Sequence, residues 1–414
     1  MANEIITFGC RLNIYESEVI RNAAELAGED NLIIINTCSV TKEAEKQARQ
    51  AIRKLKKNSP HKKIIVTGCA AQINPGSFSS MIEVDKVIGN EEKLHYENYF
   101  LDNQTEKVKV NDIMSVTDTA SHLISNFEGK ARAFLQIQNG CNHRCTFCII
   151  PFGRGNSRSV PIGGIVEQVK HLMEAGYNEV VLTGVDITDY GLDLPGKPSL
   201  GQMIRRLLTM VPNLPRLRLS SIDVAEIDEE LFNLITTEPR IMPHIHISLQ
   251  AGDNMILKRM KRRHNREDVL KFCERVREKR DNIAFGADII AGFPTETEEM
   301  FLNTLNLVKE AEICHLHVFP YSERSGTPAA RMPQVEKSIR KERASRLRAT
   351  GEIELGKFLQ NNVGRISELL IESNGLGKTE NFLPVIINTN IPQGQLVKAK
   401  IIGVKDAQLI GELV

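Results

Sequence analysis

No apolar run in the 414 residues approaches the roughly 18–20 that a membrane span needs. The opening MANEIITFGC has no basic stretch leading into an apolar one, so a secretory leader is not expected and a cytoplasmic location is. Charge of either sign is not in excess: 53 Lys and Arg against 52 Asp and Glu leave +1, with no global pull toward nucleic acid. A recognisable Ser/His/Asp or Cys/His array is missing too, so chemistry resting on such an array is not indicated. With 41% hydrophobic and 25% charged residues, wholesale disorder is excluded. What is present is eight cysteines. In a long chain without an export signal, they point to metal or catalytic chemistry rather than a disulfide scaffold.

The length suggests two or three domains at about 150 residues each. Near the start, three short apolar runs (4–8, 31–36 and 63–67) read as strands, and each leads into a cysteine: Cys10, Cys38 and Cys69. Helical patterns follow the first two, at 14–27 and 42–57, and a shorter, less periodic stretch follows the third. Alternating strands and helices imply a parallel sheet, whose ligands sit outside the carboxyl ends of the strands. The three cysteines thus share one edge although they are far apart in sequence.

Residues 106–130 read as a polar connector, with a strand near 107–110. A second strand–helix array then gives six strands, at 133–138, 180–183, 217–220, 245–249, 284–290 and 315–319. That pattern predicts a partial or full parallel barrel with function at the strand carboxyl ends. After a basic helix at 336–355 the runs become short and β-rich, as expected of a small antiparallel barrel of the oligonucleotide-binding kind. The expected fold class is α/β: an N-terminal parallel domain over 1–105, a central partial (β/α)6 barrel over 131–355 and a C-terminal β domain over 356–414.

Directly after the first barrel strand comes NGCNHRCTFC, in which Cys141, Cys145 and Cys148 have C-x3-C-x2-C spacing. Three thiolates on one tight loop suit a metal. Zinc would need His143 as fourth ligand; an iron–sulfur cluster normally takes four cysteines, and three would leave one iron open. Cys273 and Cys314 have no metal-like spacing and read as core.

This loop, after the first strand of a six-fold array, resembles the radical S-adenosylmethionine superfamily. The whole chain is similar to its methylthiotransferases, through the N-terminal trio, CTFCIIPFGRGNSRS, LTGVDITDYG, HISLQAGDNMILKRMKR, DIIAGFPTETEE and HVFPYSERSGTPAARM. The LTGVD and HVFPYSERSGTPAARM segments look most like the branch acting on N6-threonylcarbamoyladenosine in transfer RNA. Sister branches act on isopentenyladenosine in transfer RNA and on an aspartate of a ribosomal protein. The resemblance implies two [4Fe–4S] clusters, one on Cys10, Cys38 and Cys69 and one on Cys141, Cys145 and Cys148. It implies two uses of S-adenosylmethionine: one molecule methylates a cluster-held sulfur, and another gives the radical that takes hydrogen from C2 of the adenine. An electron donor and a sulfur source are then required partners, and the C-terminal unit loosely resembles a TRAM module. Phe147 holds the usual aromatic position of the radical loop.

By strand-end position Ser220, Ser221, Gln250 and Asp288 are candidates for holding S-adenosylmethionine, with ordinary capping as the alternative. Arg154 and Arg158 suit either a carboxylate or phosphate ligand or a structural salt bridge. Three basic runs, 46–63, 258–266 and 337–348, are candidate RNA-binding segments on an otherwise neutral chain. A reading of another class is a zinc-stabilised, non-catalytic RNA-binding protein.

Overall fold

The computed structural model describes residues 3–101, 106–117, 124, 126–373 and 375–414. Short aliphatic runs form its first sheet: β1 (Glu4–Thr7), β2 (Leu32–Thr37) and β3 (Lys63–Gly68), connected by helices α1 (Arg11–Leu26) and α2 (Lys42–Asn58). Thr41 starts α2 by accepting a hydrogen bond from the Ala44 N–H, which satisfies one of the unpaired donors of the first turn. The strands are parallel and in register, Thr7 opposite Asn36 and Asn36 opposite Thr67. Ile33, Ile35, Ile64 and Val66 bury one face of the sheet, and Ile34 and Ile65 the other, against Ile20 and Ala24 of α1. Two further parallel strands, β4 (Lys86–Ile88) and β5 (Val108–Lys109), complete the order β1-β2-β3-β4-β5. The strand expected near 107–110 is therefore an edge of the N-terminal sheet. The rest of the expected connector falls partly on 118–123 and 125, outside the described residues.

Six parallel strands form the central unit: β6 (Ala133–Gln136), β7 (Glu179–Thr183), β8 (Arg216–Leu219), β9 (His244–Gln250), β10 (Ala284–Ala291) and β11 (Ile313–Pro320). They pair as two three-stranded sheets, β6-β7-β8 and β9-β10-β11. The sheets are joined by bridges from Leu217 to Ile241 and from Ile222 to Ile247. No ladder links β6 to β11 among the described residues, so the barrel is partial, and α1 packs against β6 beside the opening. The expected architecture is met.

The helix at the end of the barrel, here α4 (Lys337–Asn361), runs past Leu355, where the composition changes, and packs on β11. Beyond it lie β12 (Ile366–Ser373), β13 (Leu376–Lys378), β14 (Pro384–Ile387), β15 (Leu396–Lys405) and β16 (Gln408–Leu413), closed in the order β12-β13-β14-β16-β15. The barrel was expected to be antiparallel, but one pair, β14 with β16, is parallel. This small barrel closes the base of the large one. Phe382, with a left-handed φ of 73°, lies under the cations of Arg218, Arg132 and Lys378 at 4.8, 5.0 and 4.7 Å.

Candidate cluster sites and the cavity between them

Cys10 immediately precedes α1, Cys38 follows β2, and Cys69 opens a short helix, α3 (Cys69–Ile73), directly after β3. The parallel register therefore brings all three to one sheet edge, and all three line a single cavity of about 370 Å³. The glycines before them have a physical reason. A Cβ on Gly9 (φ +102°) would lie 2.8 Å from the Cys38 sulfur, and one on Gly68 (φ +94°) would lie 2.4 Å from the Thr37 backbone. Only glycine leaves that space at such dihedrals.

Arg154, from the segment after the radical loop, reaches across to this edge. Its Nε donates to Cys69 Sγ at 3.0 Å, its other nitrogens to Asn13 Oδ1 at 2.5 Å and to the Glu16 carboxylate. Lys93 donates to the same carboxylate at 2.6 Å and to Asn90 Oδ1 at 2.7 Å, and Asn90 Nδ2 lies 3.8 Å from Cys69 Sγ. Burial opposes the charge on Glu16, but Arg154 and Lys93 outweigh it and hold the carboxyl below its usual range. Of the two roles open to Arg154, the structural salt bridge is the one observed. Arg158 lies against backbone oxygens of Arg154 and Asn156.

The loop of Cys141, Cys145 and Cys148 is pinned by Thr146, whose N–H and hydroxyl donate to the Met260 and Arg259 carbonyls at 3.1 and 2.8 Å. Cys141 Sγ is 4.0 Å from Asp186 Oδ2, and Arg262 lies 3.7 Å from Cys145 Sγ. His143 does not complete a set with the three cysteines. Its Nε2 sits 3.3 Å from both Asp186 and Glu226 carboxylates, grouped with Cys141 alone of the thiols.

Both trios suit a thiolate-bound metal group. All eight cysteines are free of disulfides. Burial pushes the Cys38 thiol up to about 12 and the Cys148 thiol up to about 11, so these sulfurs ionise only against a strong local positive charge. Each trio supplies three sulfurs close enough to feel one another's charge. Cys273 and Cys314 are buried in the core away from both, as expected.

Of the residues expected around S-adenosylmethionine, Phe147, Ser221, Gln250 and Asp288 line the same cavity as the N-terminal trio. Ser220 does not; it is buried, with its N–H on the Leu182 carbonyl. Phe147 also packs edge-on against Phe293 at 6.3 Å. Gln250 ends β9 with φ +70°, a dihedral uncommon outside glycine that no sequence pattern announces. Asp288 accepts from His246 Nε2 and His317 Nδ1, both at 3.1 Å, and these two outweigh burial to hold its carboxyl well below the usual range. Sequence reasoning did not single out Glu16, Asn90 or Lys93. Glu16 stood on the apolar face of the helical pattern, a position where a charge signals a buried partner.

Such a loop at the mouth of a parallel barrel defines a radical S-adenosylmethionine enzyme, and the Radical SAM superfamily model matches residues 135–308. Residues 3–89 match the Uncharacterized protein family UPF0004. A threonylcarbamoyladenosine tRNA methylthiotransferase MtaB from Rickettsia prowazekii is 62% identical over 409 residues, covering 99% of this chain and 97% of the relative. Its namesake from Aquifex aeolicus is 37% identical over 95% and 98% of the two chains. A tRNA-2-methylthio-N(6)-dimethylallyladenosine synthase from Carboxydothermus hydrogenoformans is 33% identical over 99% and 98%. Among solved structures, the radical S-adenosylmethionine methyltransferase TsrM from Kitasatospora setae superposes with a TM-score of 0.56 at 15% identity, over 80% of this chain and 77% of that one; this likeness concerns the fold. The chain belongs to the threonylcarbamoyladenosine tRNA methylthiotransferase family.

Proposed function

We propose that this chain is a cytoplasmic radical S-adenosylmethionine methylthiotransferase that adds a methylthio group to C2 of N6-threonylcarbamoyladenosine at position 37 of transfer RNA. It uses two [4Fe–4S] clusters and S-adenosylmethionine. The observation that carries the reading is one cavity shared by Cys10, Cys38 and Cys69 and by the barrel residues Phe147, Ser221, Gln250 and Asp288. The 62% identity to an enzyme named for that nucleoside favours it over the isopentenyladenosine and ribosomal-protein branches. A zinc-stabilised binding protein would leave the N-terminal trio without a role.

In this reading the unit over 1–105 holds one cluster through Cys10, Cys38 and Cys69, and the unit over 131–355 holds the other through Cys141, Cys145 and Cys148. When bound, the clusters and S-adenosylmethionine supply one-electron cleavage, hydrogen removal at C2 and the methylthio sulfur. The chain supplies position. Arg154 fixes Cys69 while neutralising Glu16, Thr146 fixes the radical loop, and Phe147 shields it on the cavity side. Ser220, Ser221, Gln250 and Asp288 are proposed around the cofactor, Ser220 from behind the cavity wall through its strand end.

Transfer RNA would approach along α2. Thr41 and Val40 line the cavity, and the helix leads outward from there carrying Lys46, Arg53, Lys54 and Lys57, exposed and without an ion pair among the described residues. The reaction also requires an electron donor and a sulfur source. Anaerobic reconstitution with iron, sulfide, S-adenosylmethionine and a reductant, acting on transfer RNA that carries the threonylcarbamoyl group, tests the proposal: a methylthio nucleoside supports it, and its absence from a fully iron-loaded protein refutes it.

A further inference from the structure

Histidines alternate on two strands of the large barrel, His244 and His246 on β9 and His315 and His317 on β11. Successive side chains of a strand point to opposite faces, so each pair shares one face of its strand. Two residues further on, Ser248 and Phe319 line the shared cavity, and Ile290 does so from β10 between them. That face is therefore the barrel interior. His246, Asp288 and His317 form the layer directly beneath, and Asp288 itself belongs to the cavity lining.

The layer converges on one point. Asp288 lies opposite His317 in the parallel register of β10 and β11. Gly286 lies opposite His246 on one side and His315 on the other. A Cβ on Gly286 would come within 2.7 Å of His246 Nδ1, so the bare backbone lets that ring lie across β10 with its Nε2 toward Asp288. His246 Nε2 and His317 Nδ1 then sit at the same 3.1 Å from a single oxygen, Asp288 Oδ1. One ligating atom from each of the three residues lies within 4.8 Å of the other two. The His246 side chain is only 8% exposed and is packed in place, whereas that of His317 is 61% exposed and has room to turn.

Such spacing suits a metal ion. Bonds of about 2.0–2.2 Å at octahedral or tetrahedral angles leave adjacent ligand atoms about 2.8–3.6 Å apart, and both nitrogen–oxygen distances fall in that range. Two imidazoles and one carboxylate, with a fourth position open, are a zinc ligand set. No cysteine belongs to the group, which separates it from both trios. We propose that His246, Asp288 and His317 bind one zinc ion, with a coordination position open toward the cavity for water or an oxygen of a bound molecule. Asp288 has a second carboxyl oxygen for the cofactor contact proposed above. Nothing in this site depends on which nucleoside is modified.

The test is an anaerobic calorimetric titration of zinc chloride into enzyme reconstituted to about eight irons, four per cubane, with iron analysed before and after. Wild type is expected to take one zinc per chain with its iron unchanged. His317→Ala and His246→Asn should each weaken that binding by at least roughly 10- to 100-fold, since even an outer-shell change costs that much. If His246→Asn does not hold iron, His317→Ala decides, because its side chain is exposed. X-ray absorption of the bound zinc should show nitrogen and oxygen neighbours at about 2.0–2.2 Å and no sulfur at about 2.3 Å. Sulfur neighbours, no zinc binding in wild type, or equal binding in wild type and His317→Ala overturns the proposal and leaves the trio a hydrogen-bonded brace.

Discussion

Gly9 does as much for the N-terminal site as the cysteine beside it. Its φ of +102° and the 2.8 Å between a would-be Cβ and Cys38 Sγ mean that any side chain displaces a thiol. Gly9→Ala is expected to lower iron from about eight to about four atoms per chain, four per cubane, while reductive cleavage of S-adenosylmethionine continues and thiolation stops. Iron analysis beside the two activities checks this. Arg154→Met removes one of two cations from buried Glu16, and breaking such a pair costs about 3–5 kcal/mol; a lowered denaturation midpoint reads it. The cysteines were legible because spacing and strand ends are local properties of sequence. The Arg154 partnership was not, because it joins residues 138 positions apart. Nor was the left-handed Gln250, a dihedral imposed by the tertiary setting.

At the scale of elements, the seam between the two barrels is held by buried titrating groups. Burial, then Lys378, lowers His315 from 6.5 to about 4. Burial opposes ionisation of Glu179, but Arg218, Arg132 and Arg216 outweigh it and bring the carboxyl from 4.5 to about 2. Both groups are harder to protonate folded than unfolded, so their stabilisation is complete near neutrality. It is lost first as pH falls from 6.5 toward 4, through His315, and then from 4.5 toward 2, through Glu179. Denaturant midpoints against pH should decline in those windows, and His315→Asn should flatten the upper one. An equal decline in that variant would contradict the assignment. The strands and helices read from the sequence recur in that order because periodicity reports burial of one face, but the three-residue β4 (Lys86–Ile88) is too short to show one and was missed. The continuation of α4 to Asn361 was missed because docking, rather than local composition, ends the helix.

At the scale of the molecule, the neutral total conceals an uneven use of charge. In the basic run at 258–266 three of the arginines are already paired, Arg262 and Arg263 with Asp223 and Arg266 with Glu310. In the third run Arg340, Arg343 and Arg346 are bound to Glu323, Glu296 and Glu298. The first run keeps a free row on α2, so sequence located the cations but not which of them were available. Replacing Lys46, Arg53, Lys54 and Lys57 with Gln should weaken transfer-RNA binding and flatten its salt dependence by about one unit of slope for each phosphate no longer neutralised. Titrations at several salt concentrations measure it, and an unchanged slope would move the RNA path elsewhere.

The central claim, two clusters serving one cavity to modify an anionic adenosine, is tested most directly by mass analysis of transfer-RNA nucleosides from cells with and without this gene. The account predicts that 2-methylthio-N6-threonylcarbamoyladenosine disappears without it and returns with the wild-type gene, but not with Cys69→Ala. Persistence of that nucleoside in the deletion, in cells with no second enzyme of this family, would contradict it.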